Sequence, residues 1–302
     1  MTIVSLRHLT RYRYAQPVAL GEHRVMVRPL ESYDQRLLEA ALTISPAPSK
    51  LRWVQDVFGN SVALALFEGR TRELTFDSSF VMDHVPIGHE EIRVETYARR
   101  YPFTYSSEDM PDLARSIERG HHDPHRVIDQ WARRFVRTRG RTDTLGMLVE
   151  MNSAIHSEFT YLARYQKGTQ TPVETLELGQ GSCRDFAVLM IEAARALGLA
   201  ARFVSGYFYF PDCAESVVAG GSTHAWVRVF LPGSGWAEFD PTNGVVGNRG
   251  LIRVGVTRDP YQAVPISGTW RGFPSDHLGM TVSVDVNRGA TVAPPNVDLP
   301  PH

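Results

Sequence analysis

The spacing of apolar and polar positions changes character twice along the chain. Near the start, Leu6, His8, Thr10, Tyr12 and Tyr14 alternate with Arg7, Leu9, Arg11 and Arg13, a period of two that predicts a half-buried strand. Short β-prone runs follow at 25–27, 42–44, 51–54, 61–67 and 76–81, punctuated by Pro29, Pro46, Pro48, Gly59-Asn60 and Gly69. Strands this short and closely spaced predict a β-sandwich-like or barrel-like module over 1–88. A connector of mixed character occupies 89–120, and helical spacing then takes over. Asp123-Pro124 reads as a cap with proline at the first helical position, followed by Val127, Ile128, Trp131 and Phe135 on one face. Further helices are predicted from Thr144 to Ser157 and from Pro172, the latter opened by the capping box Thr171–Glu174 and closed by Gly179. Residues 183–197 are apolar almost all round, which places that helix inside a core. Strands return at 202–210, 223–231, 236–240, 252–256 and 280–286, so a core over 121–290 is expected, with a proline-rich tail at 291–302.

Composition narrows the picture. The 302 residues are 43% hydrophobic and 22% charged, ordinary globular usage that excludes disordered, collagen-like and coiled-coil chains. A net charge of −1 gives no global attraction to nucleic acid or anionic lipid. All basic residues but Lys50 and Lys167 are arginine, so few lysines are available for cross-linking of the protein to itself. No run approaches the ~20 apolar residues that span a bilayer, and the first residues lack the apolar core of a signal peptide. With only Cys183 and Cys213 there is no disulfide framework, and a cytoplasmic location is expected.

The chemistry concentrates in Gly179-Gln180-Gly181-Ser182-Cys183-Arg184-Asp185. Ser182 is a good N-cap, Asp185 stands where it can reach back, and Cys183 becomes the first residue of the buried helix. Backbone N–H groups and the helix dipole there favour thiolate over thiol. A thiolate nucleophile needs an imidazole, and the imidazole an orienting group. His224 lies on the alternating strand 223–231, and Asp240 ends the next one, where Pro241 stops the ladder. Cys213 has no capping context and reads as an incidental thiol. His121-His122-Asp123-Pro124-His125 has a metal-like composition, but Pro124 breaks the helical face that such ligands need, so it reads as a polar cap.

Several segments resemble a known family. Cys183-Arg184-Asp185-Phe186-Ala187, 195–207, Thr223-His224-Ala225-Trp226-Val227 and Gly235-Trp236 with Asp240-Pro241-Thr242 are similar to the transglutaminase-like core. His8-Leu9-Thr10-Arg11-Tyr12-Arg13-Tyr14, Arg28-Pro29, Gln35 and Asp56-Val57-Phe58-Gly59-Asn60 resemble the N-terminal β-module of its bacterial subgroup. The resemblance implies an α+β fold: an all-β N-terminal domain, then a papain-like core in which a cysteine-bearing helix packs on an antiparallel sheet. It implies Cys183 as nucleophile, His224 as base and Asp240 as orienting acid, with no metal or organic cofactor. A helix-start N–H of Cys183 would be one oxyanion donor; Gln180, Tyr161 and Trp226 are the candidates for the second or for substrate contact. Thr257-Arg258-Asp259-Pro260-Tyr261 replaces the family's Gly-Arg-Asp-Tyr, and its Arg-Asp pair is expected to be a structural salt bridge.

The expected function is thus cysteine-dependent acyl transfer on amides, peptide or isopeptide, through a thioester. The expected partner is a protein or peptide substrate, with neither nucleic acid nor membrane. Hydrolysis is favoured; amine transfer would use the same three residues, and a binding module retaining the fold is the alternative of another class. One geometric condition follows. Strand side chains alternate, so a hairpin turning symmetrically about Gly233-Ser234 would send Asp240 away from His224. Direct opposition of the two requires a turn centred on Pro232 or an equivalent bulge.

Overall fold

The computed structural model describes residues 2–164, 168–209 and 222–289. Cys213 and the tail at 291–302 lie outside them. Strands β1 (Thr2–Val25), β2 (Gln35–Ser45), β3 (Lys50–Gln55), β4 (Ser61–Leu66) and β5 (Arg70–His84) come first. A mixed stretch follows: β6 (Arg100–Tyr101), α1 (Met110–Ile117), α2 (Val127–Arg133), β7 (Thr142–Asp143), α3 (Thr144–Glu158), β8 (Thr160–Tyr161), α4 (Pro172–Leu178), β9 (Gln180–Gly181) and α5 (Cys183–Ala196). Strands β10 (Ala201–Phe208), β11 (Ser222–Leu231), β12 (Gly235–Asp240), β13 (Val245–Val246), β14 (Leu251–Thr257), β15 (Ile266–Arg271) and β16 (His277–Arg288) complete the order.

Two compact units result: one holds the chain through Pro86, Phe208–Thr223 and the return from Pro265, the other Ile87–Tyr207 and His224–Val264. These limits differ from the linear ones expected at 88, 120 and 290. The reason is that β15 and β16 pair with β1, so the end of the chain joins the sheet that its beginning started.

The first unit is one seven-stranded sheet, not the two stacked sheets of a sandwich. Its 24-residue spine, β1, changes neighbours midway. From Val4 to Arg13 it is flanked by β5 and β16; from His23 to Val25 it is flanked by β4 and β15. The β5 register shifts between Arg13 and Val18, around Pro17, which has no N–H to give a ladder. A strand serving two sets of neighbours curls the sheet, and Tyr14, Val18, Val25, Leu74 and Phe76 pack within the curl. The inward series Leu6, His8, Thr10 is buried as the alternation predicts. His8 survives there as a neutral imidazole, its pKa lowered to about 4 by burial, with Thr10 Oγ1 2.9 Å from its Nε2.

In the second unit, α5 is the core. Phe186 through Ile191, Ala193 and Ala194 are buried, packed against α3 through Met147, Leu148, Met151 and Ile155 and against one face of a five-stranded sheet. The sheet order is β13-β12-β11-β10-β14, and β11–β12 and β12–β13 are antiparallel. The side chains facing α5 include Phe203, Val227, Val229, Ala237 and Phe239. Helix α2 starts at Val127, three residues after the proline expected to open it. Arg126 sits at φ 55° as its boundary residue, and the Asp123 carboxylate reaches past it to accept from Val127 and Ile128 N–H, 2.9 Å each.

Candidate active site

The approach to Cys183 is built from short-range rules. Gly179, at φ 60°, ends α4 in the left-handed region that favours glycine. The next two residues pair in parallel with Thr160–Tyr161, where Thr160 N–H donates to Gly179 O and Leu162 N–H to Gly181 O, 2.9 Å each. Gly181 is required for a reason the sequence did not suggest: a Cβ there would meet the Asp185 Cβ at 2.9 Å. Ser182 is extended, and α5 begins at Cys183. Asp185 is fully buried, and its carboxylate accepts from Ser182 N–H and Oγ–H at 2.8 Å, from Gln170 N–H at 2.7 Å and from Arg164 Nη1 at 2.7 and 2.9 Å. Burial opposes its charge, but the donors from Ser182, Gln170 and Arg164 outweigh it and hold the carboxyl below its ordinary range. The start of α5 is therefore rigid. Arg164→Ala, which leaves that carboxylate without its cation, is expected to lower stability by about 2–4 kcal/mol, read as a fall in the denaturant midpoint.

His224 and Asp240 meet across the β11–β12 pair. The pairs Val227↔Phe239 through Leu231↔Gly235 set a turn about Gly233, at φ 93°, not the turn centred on Pro232 that direct opposition needs. In this register the even-numbered residues of both strands share one face, so Asp240 stands diagonally across from His224, close enough for side chains to meet. The His224 Nε2 to Asp240 Oδ2 distance is 2.8 Å, with the imidazole 7% exposed and the carboxylate fully buried. The partly exposed Cys183 is a free thiol near enough to the same imidazole to act on its charge. Burial disfavours the imidazolium, yet Asp240 and then Cys183 override it and raise the His224 pKa to about 10.

One contributor to this cluster is absent from the reading of the sequence. Asn243 Nδ2 donates to Asp240 Oδ2 at 2.7 Å and lies 3.2 Å from His224 Nε2. The other carboxylate oxygen accepts from Thr242 and Asn243 N–H at 3.0 and 3.3 Å, an Asx-type turn for which Asp240-Pro241-Thr242-Asn243 is the recognisable signal. Trp226 differs from expectation. Its ring stacks on His224 (centroids 5.9 Å apart, 23° between planes), but its indole N–H donates to Glu238 Oε2 at 3.2 Å, and Glu238 is held by Arg253 Nη1 at 2.7 Å. With its sole donor engaged, Trp226 supports the imidazole and has none for an oxyanion. Gln180 and Tyr161 sit on the two-stranded ribbon that leads into Cys183, half-buried and exposed respectively. Arg258 and Asp259 form an ion pair at 2.8 Å. Among the described residues, no three His, Cys, Asp or Glu side chains converge as metal ligands.

With this geometry in view, the relatives fall into place. Residues 129–241 match the transglutaminase-like superfamily, and residues 4–83 match the bacterial transglutaminase-like N-terminal region. The chain thus carries a transglutaminase-like core preceded by a strand-rich N-terminal region of the bacterial kind. An uncharacterized Mycobacterium tuberculosis protein, Rv2569c, is 29% identical over 297 residues, 92% of this chain and 90% of its own length. The uncharacterized ML0607 of Mycobacterium leprae is 26% identical over 289 residues, 92% and 96% of the two chains. A Cytophaga hutchinsonii structure, assigned as a candidate cysteine protease, superposes with a TM-score of 0.71 over 97% of this chain and 93% of that one. At 18% identity that likeness establishes the shared fold. No helix among the described residues is long and apolar enough to cross a membrane.

Proposed function

We propose that this protein is a cysteine hydrolase that cleaves peptide or isopeptide amides through a thioester, with Cys183 as nucleophile, His224 as acid and base, and Asp240 as orienting acid. The observation that carries the reading is one buried imidazole held by a carboxylate at 2.8 Å and influenced by the helix-start thiol beside it. Because Nε2 is held by Asp240, Nδ1 is the nitrogen that exchanges a proton with sulfur. The thiolate attacks the carbonyl carbon, and the tetrahedral oxyanion is met by N–H donors at the start of α5. The imidazolium gives its proton to the leaving amine as the C–N bond breaks. Neutral His224 then takes a proton from water, which adds to the thioester and releases acid and thiol. A primary amine in place of water would complete an amide transfer instead; incorporation of a labelled amine into casein separates the two. The chemistry needs a reduced Cys183, which fits a cytoplasmic setting.

The pH dependence tests the pair. His224 has its pKa raised, so it is charged throughout the neutral range and loses its proton only as pH rises through about 10. kcat/KM is expected to be bell-shaped, with its alkaline limb near that value. A profile that simply climbs through the ordinary thiol range near ~8.5 would refute the ion pair. If Cys183 were alkylated by iodoacetamide no faster than an unassisted thiol, a binding module would be the better reading.

A further inference from the structure

A cleft that none of Cys183, His224 and Asp240 lines reaches the start of α5 through Arg184. Residues 118–121, 258–261 and Val264 form the walls of this cleft of about 580 Å³, completed by Gly168, Thr169 and Arg184. Every wall belongs to the second unit. Three arginines line it, and two are already tied: Arg258 Nε to Asp259 at 2.8 Å, and Arg119 to Glu192 at 3.0 Å and to Asp129 at 2.8 Å. Arg119 nevertheless keeps a buried Nη2 with no hydrogen-bond acceptor, its contact with Asp123 being 3.6 Å. Arg184 is half-buried and has no hydrogen bond or ion pair among the described residues. It follows Cys183 directly, so a guanidinium with no counter-ion among the described residues starts one peptide unit, about 3.8 Å between Cα atoms, from the nucleophile.

A half-buried guanidinium without an acceptor is the complement of a planar oxyanion. The opposite wall carries Pro260, Tyr261 and Val264, with Tyr261 71% and Val264 37% exposed, an apolar strip along which an extended chain can lie. The lining also holds two carboxylates, but Asp259 is paired with Arg258 and Glu118 with Arg115, so Arg184 is the lining cation left for a peptide that bears a carboxylate. We infer that this cleft is the substrate subsite for a carboxylate, side-chain or C-terminal, placed a few residues from the scissile amide, and that Arg184 is its principal recognition group. The inference rests on the cysteine-hydrolase reading and names its substrate class.

Affinity-directed alkylation tests it without a known substrate. Iodoacetyl-glycyl-glutamate amide, its glutamine counterpart, and the glutamine form with a free C-terminal carboxylate are compared for their rates at Cys183, by mass spectrometry of the full-length protein. A half-buried ion pair should make one or both carboxylate reagents at least about five-fold faster than the neutral one, an advantage that shrinks with salt. Which of the two gains tells side-chain from terminal recognition. In Arg184→Gln the ratio should fall to about one, and in Arg184→Lys it should recover in part. The ratio is internal to each variant, so a change in intrinsic thiol reactivity cancels. Fast alkylation by all three reagents at equal rates would overturn the subsite and leave the nucleophile intact. A ratio that survives Arg184→Gln would overturn the role of Arg184. Uniformly slow alkylation would overturn the hydrolase reading, and the subsite with it.

Discussion

Cys183→Ala is expected to abolish amide cleavage, a loss of about 10⁴-fold or more, since nothing else in the cluster supplies an attacking sulfur. The fold should persist, because the substitution removes one partly exposed atom at a helix start whose capping is carried by Asp185 and Arg164. A cleavage assay on a peptide library together with a thermal melt reads both effects; substantial turnover by the variant would remove Cys183 from the mechanism. The partner of the nucleophile has an effect measurable without substrate. An unassisted thiol with a pKa of ~8.5 is only roughly 0.3% thiolate at pH 6. A thiolate held by an imidazolium escapes that limit, although its lower basicity returns part of the gain. His224→Ala is therefore expected to slow alkylation of Cys183 at pH 6 by about 10- to 100-fold, and by far less at pH 9.

Asp240→Asn should be nearly as damaging, for a different reason. Burial alone pushes the His224 pKa down, and the Asp240 charge is the larger of the two influences that reverse it. With an amide in that place the imidazole goes neutral in its buried site, the thiolate loses its counter-ion, and a loss of about 10³- to 10⁴-fold in kcat/KM is expected. Stability supplies an independent readout. A histidine with a raised folded-state pKa stabilises the native protein fully below its unfolded pKa of about 6.5, and that contribution drains away as pH rises through about 10. The wild-type denaturant midpoint should consequently decline between those values, while that of Asp240→Asn stays flat. Equal slopes in the two proteins would mean that Asp240 does not hold the charge. Asn243 offers a gentler perturbation of the same carboxylate, since it donates to Asp240 Oδ2 at 2.7 Å.

Much of this was legible in the chain because the responsible forces act over a few residues. Alternation over 6–14 placed Leu6, His8 and Thr10 inside, since a strand must send successive side chains to opposite faces. The uninterrupted apolar run 183–197 required a buried helix, and the Ser182–Asp185 spacing located its first turn and hence Cys183. His224 and Asp240 on consecutive strands stood out as partners for the thiol, and the transglutaminase-like resemblance supplied the roles proposed for them.

Long-range pairing decided the rest. Whether Asp240 faces His224 depends on a shift of one residue in a hairpin, and five residues with three glycine or proline positions permit several turns. Packing of Val227, Val229, Ala237 and Phe239 against α5 selects the register centred on Gly233, which puts both polar groups on one face. Trp226 looked like a donor for an oxyanion until Glu238, twelve residues away, took its N–H. The return of β15 and β16 to β1 was equally hidden, because backbone ladders between residues more than two hundred positions apart leave no local period. The sequence by itself determined where the reactive groups start: a thiol at a buried helix, an imidazole and a carboxylate on neighbouring strands. Only the tertiary structure decided that they converge, because convergence depends on strand register and core packing, which no single segment of the chain contains.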